Sequence, residues 1–157
     1  EIFIAINIQK EKGSFVCKIF DIFLEETIQL VYILYLSYEN IYFHKPCISR
    51  FSNSEKYIVC KGFKGYNKDL VNLMIHSFET NKLNIQINKD FFQELYNFNN
   101  KYSKYQISHI EKGIENIKNN TLIRKPTKQQ INDAIHWCNL YNININYNCI
   151  YLNRTIS

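Results

Sequence analysis

The chain has 157 residues, enough for one domain with a core of its own and too few for two large ones. It is 46% hydrophobic and 21% charged, which excludes the disordered and collagen-like classes, and its net charge of +5 is compatible with nucleic acid without demonstrating it. The longest apolar stretch, 28–36, is interrupted by Gln29 and falls far short of the ~18 residues of a membrane span, so no membrane partner is expected.

Ile, Asn, Lys, Tyr and Phe make up 85 of the 157 residues. All five have AT-rich codons, so many of the 21 asparagines read as a mark of an AT-rich genome rather than of function. Glycine (4) and proline (2) are scarce, and each is therefore informative. No signal-peptide pattern opens the chain. The five cysteines are odd in number and contain no C-x-x-C pair. Cys17 and Cys60 sit in apolar runs, as reduced core cysteines do, and a reducing, intracellular compartment fits, nucleus or cytoplasm, or the host cytoplasm or virion for a viral protein. His44 with Cys47, and His136 with Cys138, are half-sites that nothing completes at ligand spacing, so no metal is expected.

In chain order, 2–10 reads as the end of a helix. Gly13 precedes a strand at 14–20 that is apolar on both faces except for Lys18, the pattern of a central parallel strand covered on both sides. A helix follows at 25–36, then a strand at 41–45 stopped by Pro46, and another at 56–61 stopped by Gly62. The crossover between the first two strands contains a helix, so these strands run parallel. The ten residues 46–55 hold no helical pattern and can close only a hairpin-like turn, so 56–61 runs antiparallel. Lys18, loop 46–55 and Glu55 then converge on one rim, at the carboxyl ends of the parallel strands where open α/β sheets bind ligands. The segment 45–64 that supplies this rim is basic: Lys45, Arg50, Lys56, Lys61 and Lys64 stand against Glu55 alone.

The remainder is helical. Apolar spacing predicts helices at 69–79, 89–98 and 102–118, the last with Ile107, Ile110, Ile114 and Ile117 on one stripe. Pro126 opens a further helix that runs through Ile131, Ala134, Ile135, Trp137 and Cys138, with Trp137 read as core. The tail 142–157 is polar and Asn-rich, with one strand-like piece at 149–152.

Two blocks carry a resemblance: Gly13-Ser-Phe-Val-Cys-Lys-Ile-Phe-Asp21, and Lys45-Pro-Cys-Ile-Ser-Arg-Phe-Ser-Asn-Ser-Glu-Lys-Tyr-Ile-Val-Cys-Lys-Gly62. Together, at this spacing, they resemble the C-terminal half of an FtsJ-like (RrmJ-type) RNA 2′-O-methyltransferase, closest to the cap methyltransferase branch. The resemblance implies an α/β fold: the C-terminal half of a Rossmann-like methyltransferase sheet with its last strand antiparallel. It assigns 1–65 to that domain and leaves 66–157 as a mainly helical extension. It implies S-adenosylmethionine as cofactor and RNA, the capped mRNA 5′ end, as partner. Within the family's Lys-Asp-Lys-Glu tetrad, Lys18 is similar to the second lysine and Glu55 to the glutamate. The first lysine, the aspartate and the glycine-rich donor loop are expected upstream of Glu1, so the chain reads as a fragment. Lys12 stands where the family often has a further glycine, and Phe51 where it often has proline.

The chemistry agrees with that assignment. A ribose 2′-hydroxyl holds its proton tightly, and a base that removes it needs a pKa near neutrality. A lysine reaches that state when desolvated beside another cation. A glutamate pulls the other way, so Glu55 serves to orient Lys18. Lys45, Ser49, Arg50, Ser52, Asn53 and Ser54 are the RNA-binding candidates: Arg50 grips a phosphate and the hydroxyls fix backbone register. Simpler readings stand beside these. Lys18 as a snorkelling strand-end lysine, Glu55 as an ordinary partner of Lys56 or Lys18, and the serines as turn formers all use the same residues. At the level of function the alternatives are an rRNA 2′-O-methyltransferase and a noncatalytic RNA- or partner-binding module on the same fold.

Overall fold

The computed structural model describes residues 1–46, 48–121 and 126–153. Helix α1 (Ile2–Ile8) leads into strand β1 (Ser14–Ile19), helix α2 (Glu25–Ser37), and strands β2 (Tyr38–His44) and β3 (Lys56–Phe63). Helices α3 (Lys68–Thr80), α4 (Lys89–Lys118), α5 (Lys128–Leu140) and the single turn α6 (Ile150–Asn153) follow.

Among the described residues the sheet has three strands in the order β1-β3-β2, with β3 antiparallel to both neighbours. β1 and β2 therefore point the same way, as the helical crossover requires, but they are not adjacent. α2 carries the chain two strand positions across, and β3 fills the slot between. Among the described residues β1 has a strand on one side only, so here it lacks the double cover that its apolar run suggests. Its burial alternates, and Val16 is 58% exposed.

The core gathers α2 (Val31, Tyr32, Ile33, Leu34), Tyr38, and Ile58, Cys60 and Phe63 of β3 against Ile6 and Ile22. Each such aliphatic side chain contributes about 1.5–3 kcal/mol on burial. Val71 and Met74 of α3, with Phe91 and Leu95 of α4, close the same cluster. Cys17 and Cys60 are buried free thiols.

Four further expectations are corrected. β3 does not stop at Gly62 but runs on to Phe63, because Gly62 adopts φ +72, a conformation that costs glycine nothing. Residues 89–118 form one helix rather than two. The segment 99–101 holds neither Gly nor Pro, and Asn99 turns its amide away from the helix backbone to donate to Ile22 O at 2.7 Å. The strand-like piece at 149–152 is instead a turn of helix, in which Cys149 N bonds Asn146 O and Leu152 N bonds Cys149 O, so local partners replace a ladder. Trp137 lies outside the core, half-buried against Tyr141 with ring centroids 5.1 Å apart, and α5 buries no residue fully.

No helix among the described residues is long and apolar enough to cross a membrane.

Candidate active site

β1 delivers Lys18 one residue before its C-terminal end, directly opposite Tyr57 of β3. On its other side Tyr57 faces His44, the last residue of β2. Directly opposed residues share a sheet face, so Lys18, Tyr57 and His44 form one row across the rim. Glu55 stands one residue before β3 and turns its carboxylate into that row. Its Oε1 accepts from Tyr57 Oη at 2.8 Å and lies 3.6 Å from Lys18 Nζ.

The Glu55 side chain is 24% exposed and that of Lys18 49%. The amine is thus tethered on one side and open on the other. The hydrogen bond from Tyr57 holds the Glu55 carboxyl below its ordinary range; burial opposes this, and the charge of Lys18 reinforces it. The same bond pushes the Tyr57 hydroxyl up. Lys18 Nζ also lies 5.2 Å from the centroid of Phe20.

Loop 46–55 is held from within by Lys45. Its Nζ donates to Glu55 O (2.8 Å), Asn53 O (3.0 Å), Asn53 Oδ1 (3.1 Å) and Ser49 Oγ (3.5 Å). Burial lowers the Lys45 pKa, and Glu55 partly restores it. Lys56 points elsewhere: it is 6% exposed, and its Nζ donates to Ser54 O at 2.8 Å and lies 6.0 Å from the Tyr102 ring centroid. Burial lowers its pKa too, with Asp21 opposing and Lys45 adding to the shift.

The structure therefore brings Lys18 and Glu55 together, and pairs Lys56 with a carbonyl rather than with Glu55. Of the RNA-binding candidates, Lys45 donates to Ser49 and to Asn53 within the loop. Ser52 and Ser54 lend their carbonyls to Gln106 and Lys56. Arg50 is exposed, and none of the ion pairs among the described residues engages it. Sequence reasoning missed Tyr57 and the looping role of Lys45. Tyr57 had a signal, since a strand places residues 55 and 57 on the same face. The Lys45 clamp had none, because two of its four acceptors are backbone carbonyls, which every residue carries. Among the described residues no group of His, Cys, Asp and Glu is placed to hold a metal; Cys47 of the first half-site lies outside them.

S-adenosylmethionine, which the resemblance implies, finds no glycine-rich cradle here. Side chains of Gln9, Glu39 and Glu11 crowd Gly13, Gly62 and Gly65, and Gly113 lies in mid-α4 with open space beside it. The described residues do not fit the donor.

Comparison with known proteins agrees with the resemblance read from the sequence. Residues 2–63 match the family model described as FtsJ-like methyltransferase. The chain is 32% identical over 133 residues to cap-specific mRNA (nucleoside-2′-O-)-methyltransferase 1 of Danio rerio, covering 75% of this chain and 16% of that protein. Because that alignment is longer than the family match, it extends into the helical region. The Homo sapiens protein of the same name is 47% identical over 60 residues, 38% of this chain and 7% of the relative. An inactive cap-specific mRNA (nucleoside-2′-O-)-methyltransferase 1B of Caenorhabditis briggsae is 39% identical over 64 residues, 41% of this chain and 8% of the relative. The matched stretches thus span only 7% to 16% of these relatives' lengths.

Proposed function

Because residues 2–63 are FtsJ-like methyltransferase sequence, we propose that the protein serves in methylation of a ribose 2′-hydroxyl of RNA, at the capped 5′ end of mRNA, with S-adenosylmethionine as the donor. The observation that carries this reading is the Lys18–Glu55 pair at the carboxyl end of β1, inside the matched segment.

In this reading the neutral Lys18 amine takes the proton of the 2′-hydroxyl as that oxygen becomes a nucleophile. Half-exposure lets a ribose approach without disturbing the core. Glu55, fixed by Tyr57, holds Nζ in place and stabilises the ammonium that forms when the proton arrives. A lysine base in general needs a neighbouring cation to be neutral, and the resemblance gives that role to the other lysine of the tetrad. Arg50, exposed at the tip of the loop, meets a phosphate and sets the strand's register.

The test is single-turnover methyl transfer to capped RNA by the full-length protein. Lys18→Ala should reduce the rate by roughly 10²–10⁴-fold, the usual effect of losing a general base. Lys18→Arg should fail as well, because guanidinium keeps its charge but does not deprotonate near neutral pH. Near-normal turnover by Lys18→Arg, with circular dichroism confirming the fold, would leave Lys18 an electrostatic or structural residue. Equal transfer to rRNA would favour the ribosomal alternative.

A second reading is favoured by the similarity to the Caenorhabditis briggsae protein named as inactive. In that reading this chain's fold binds RNA or a partner without chemistry. Wild-type protein that binds capped RNA and transfers no methyl group supports that reading.

A further inference from the structure

Loop 46–55 is braced from outside as well as from within. The Phe51 ring lies 5.2 Å from the His109 ring at an interplanar angle of 29°, 6.3 Å from the Tyr105 ring, and 5.9 Å from Lys45 Nζ. Gln106 Nε2 donates to Ser52 O at 3.4 Å. Tyr105, Gln106 and His109 are neighbours on the surface of α4, one turn deep. The His109 ring is itself aimed: Nδ1 lies 2.8 Å from Tyr105 O and, since a carbonyl only accepts, carries the hydrogen.

The brace has a firm root. Phe91 and Leu95 anchor the first turns of α4 in the core. Phe98 then stacks on Phe43 of β2 and on Tyr102, with both centroid distances 4.5 Å. The helix passes from the core, over the end of β2, to the loop. All of α4 lies outside the segment 2–63 that matches the methyltransferase family.

We propose that α4 is the positioning element of the RNA-facing rim: His109, Tyr105 and Gln106 hold Phe51 and Ser52, and Phe51 backs the Lys45 clamp within the loop. The proposal rests on the reading of this loop as the RNA contact. None of the three α4 residues touches the reacting groups, so each is a positioning residue. A loop that is already ordered loses less freedom when RNA arrives, so the effect falls on RNA affinity and not on the chemical step.

The experiment compares wild type, His109→Ala and His109→Phe in the full-length protein, by amide hydrogen exchange and by methyl-transfer kinetics on capped RNA. His109 is exposed on a helix, so its alanine variant keeps the fold. In His109→Ala, exchange in 48–55 should quicken while exchange in β3 stays the same. The amides of Ser49 and Asn53, which bond Pro46 O and Arg50 O, are the reporters. KM for RNA should rise roughly 3- to 10-fold, the size of one lost aromatic pair, with kcat within about twofold. His109→Phe, which keeps a ring against Phe51, should restore both. Unchanged loop exchange in His109→Ala overturns the brace. Faster exchange with unchanged KM also overturns it, because the loop would then be held for some other purpose. Faster exchange in a protein whose wild type methylates no RNA keeps the brace and removes the methyltransferase reading, so the two failures are distinct.

Discussion

Tyr57 and Lys18 meet Glu55 at the same oxygen, and the two contacts differ in kind. The tyrosine bond, at 2.8 Å, has hydrogen-bond geometry, whereas the lysine contact, at 3.6 Å, is a charge contact near the surface. Glu55 is ionised above its ordinary value of 4.5 and stays so somewhat below it, because its carboxyl is held low in the folded protein. Its contribution to stability is therefore fully present above that value and lost as the pH falls through the depressed one. Tyr57→Phe removes the largest cause of the depression and should move the loss to higher pH. An acid titration of stability, read by urea unfolding, checks this; an unchanged acid limb would mean that the Tyr57 bond does not persist in solution. For Arg50, Arg50→Ala should weaken RNA binding and flatten its salt dependence by about one unit of slope, with donor affinity unchanged. Unchanged affinity and slope would place Arg50 outside the RNA contact.

At the level of elements, asparagine does much of what glycine does elsewhere. The 21 asparagines of an AT-rich composition read as background, yet several hold the ends of helices. Asn67 accepts from the amides of Asp69 and Leu70, and Asn88 from those of Asp90 and Phe91, starting α3 and α4. Asn81, Asn120 and Asn142 adopt φ of 55°, 53° and 52° just past α3, α4 and α5. In a chain with four glycines, asparagine is the next residue able to take the left-handed conformation that ends a helix. Asn81→Gly should leave stability unchanged or slightly raised, whereas Asn81→Val should cost about 1–2 kcal/mol, since a branched side chain clashes there. Equal unfolding midpoints for the two variants would contradict this. The α4 helix belongs at this scale too: its apolar stripe is legible as helix, but its continuity through 99–101 depends on Asn99 finding a carbonyl 77 residues away.

At the largest scale, the sheet order leaves β1 with one neighbour among the described residues. Its outer edge offers backbone donors and acceptors, and Val16 and Phe20, both more than half exposed, stand nearby. Such an edge invites another strand. Residues 1–157 expressed alone should therefore self-associate, and Val16→Lys should reduce the association by adding charge to the edge. Sedimentation across a concentration series checks this; a monomer at every concentration, or no effect of Val16→Lys, would show that the edge is already protected.

The sequence by itself determined the element order through residue 80, the antiparallel return of residues 56–61 and the meeting of Lys18 with Glu55. These follow from local rules: apolar period, connection length, and the few prolines and glycines. Ten residues cannot carry a helix back across a sheet, so the rim had to form where it did. Only the tertiary structure decided that β3 lies between β1 and β2. It also decided that Lys45 closes the loop onto backbone carbonyls, and that α4 runs unbroken to stack His109 on Phe51. Each of these depends on partners far apart in the chain or on main-chain acceptors that every residue carries, and neither leaves a mark on residue type or spacing.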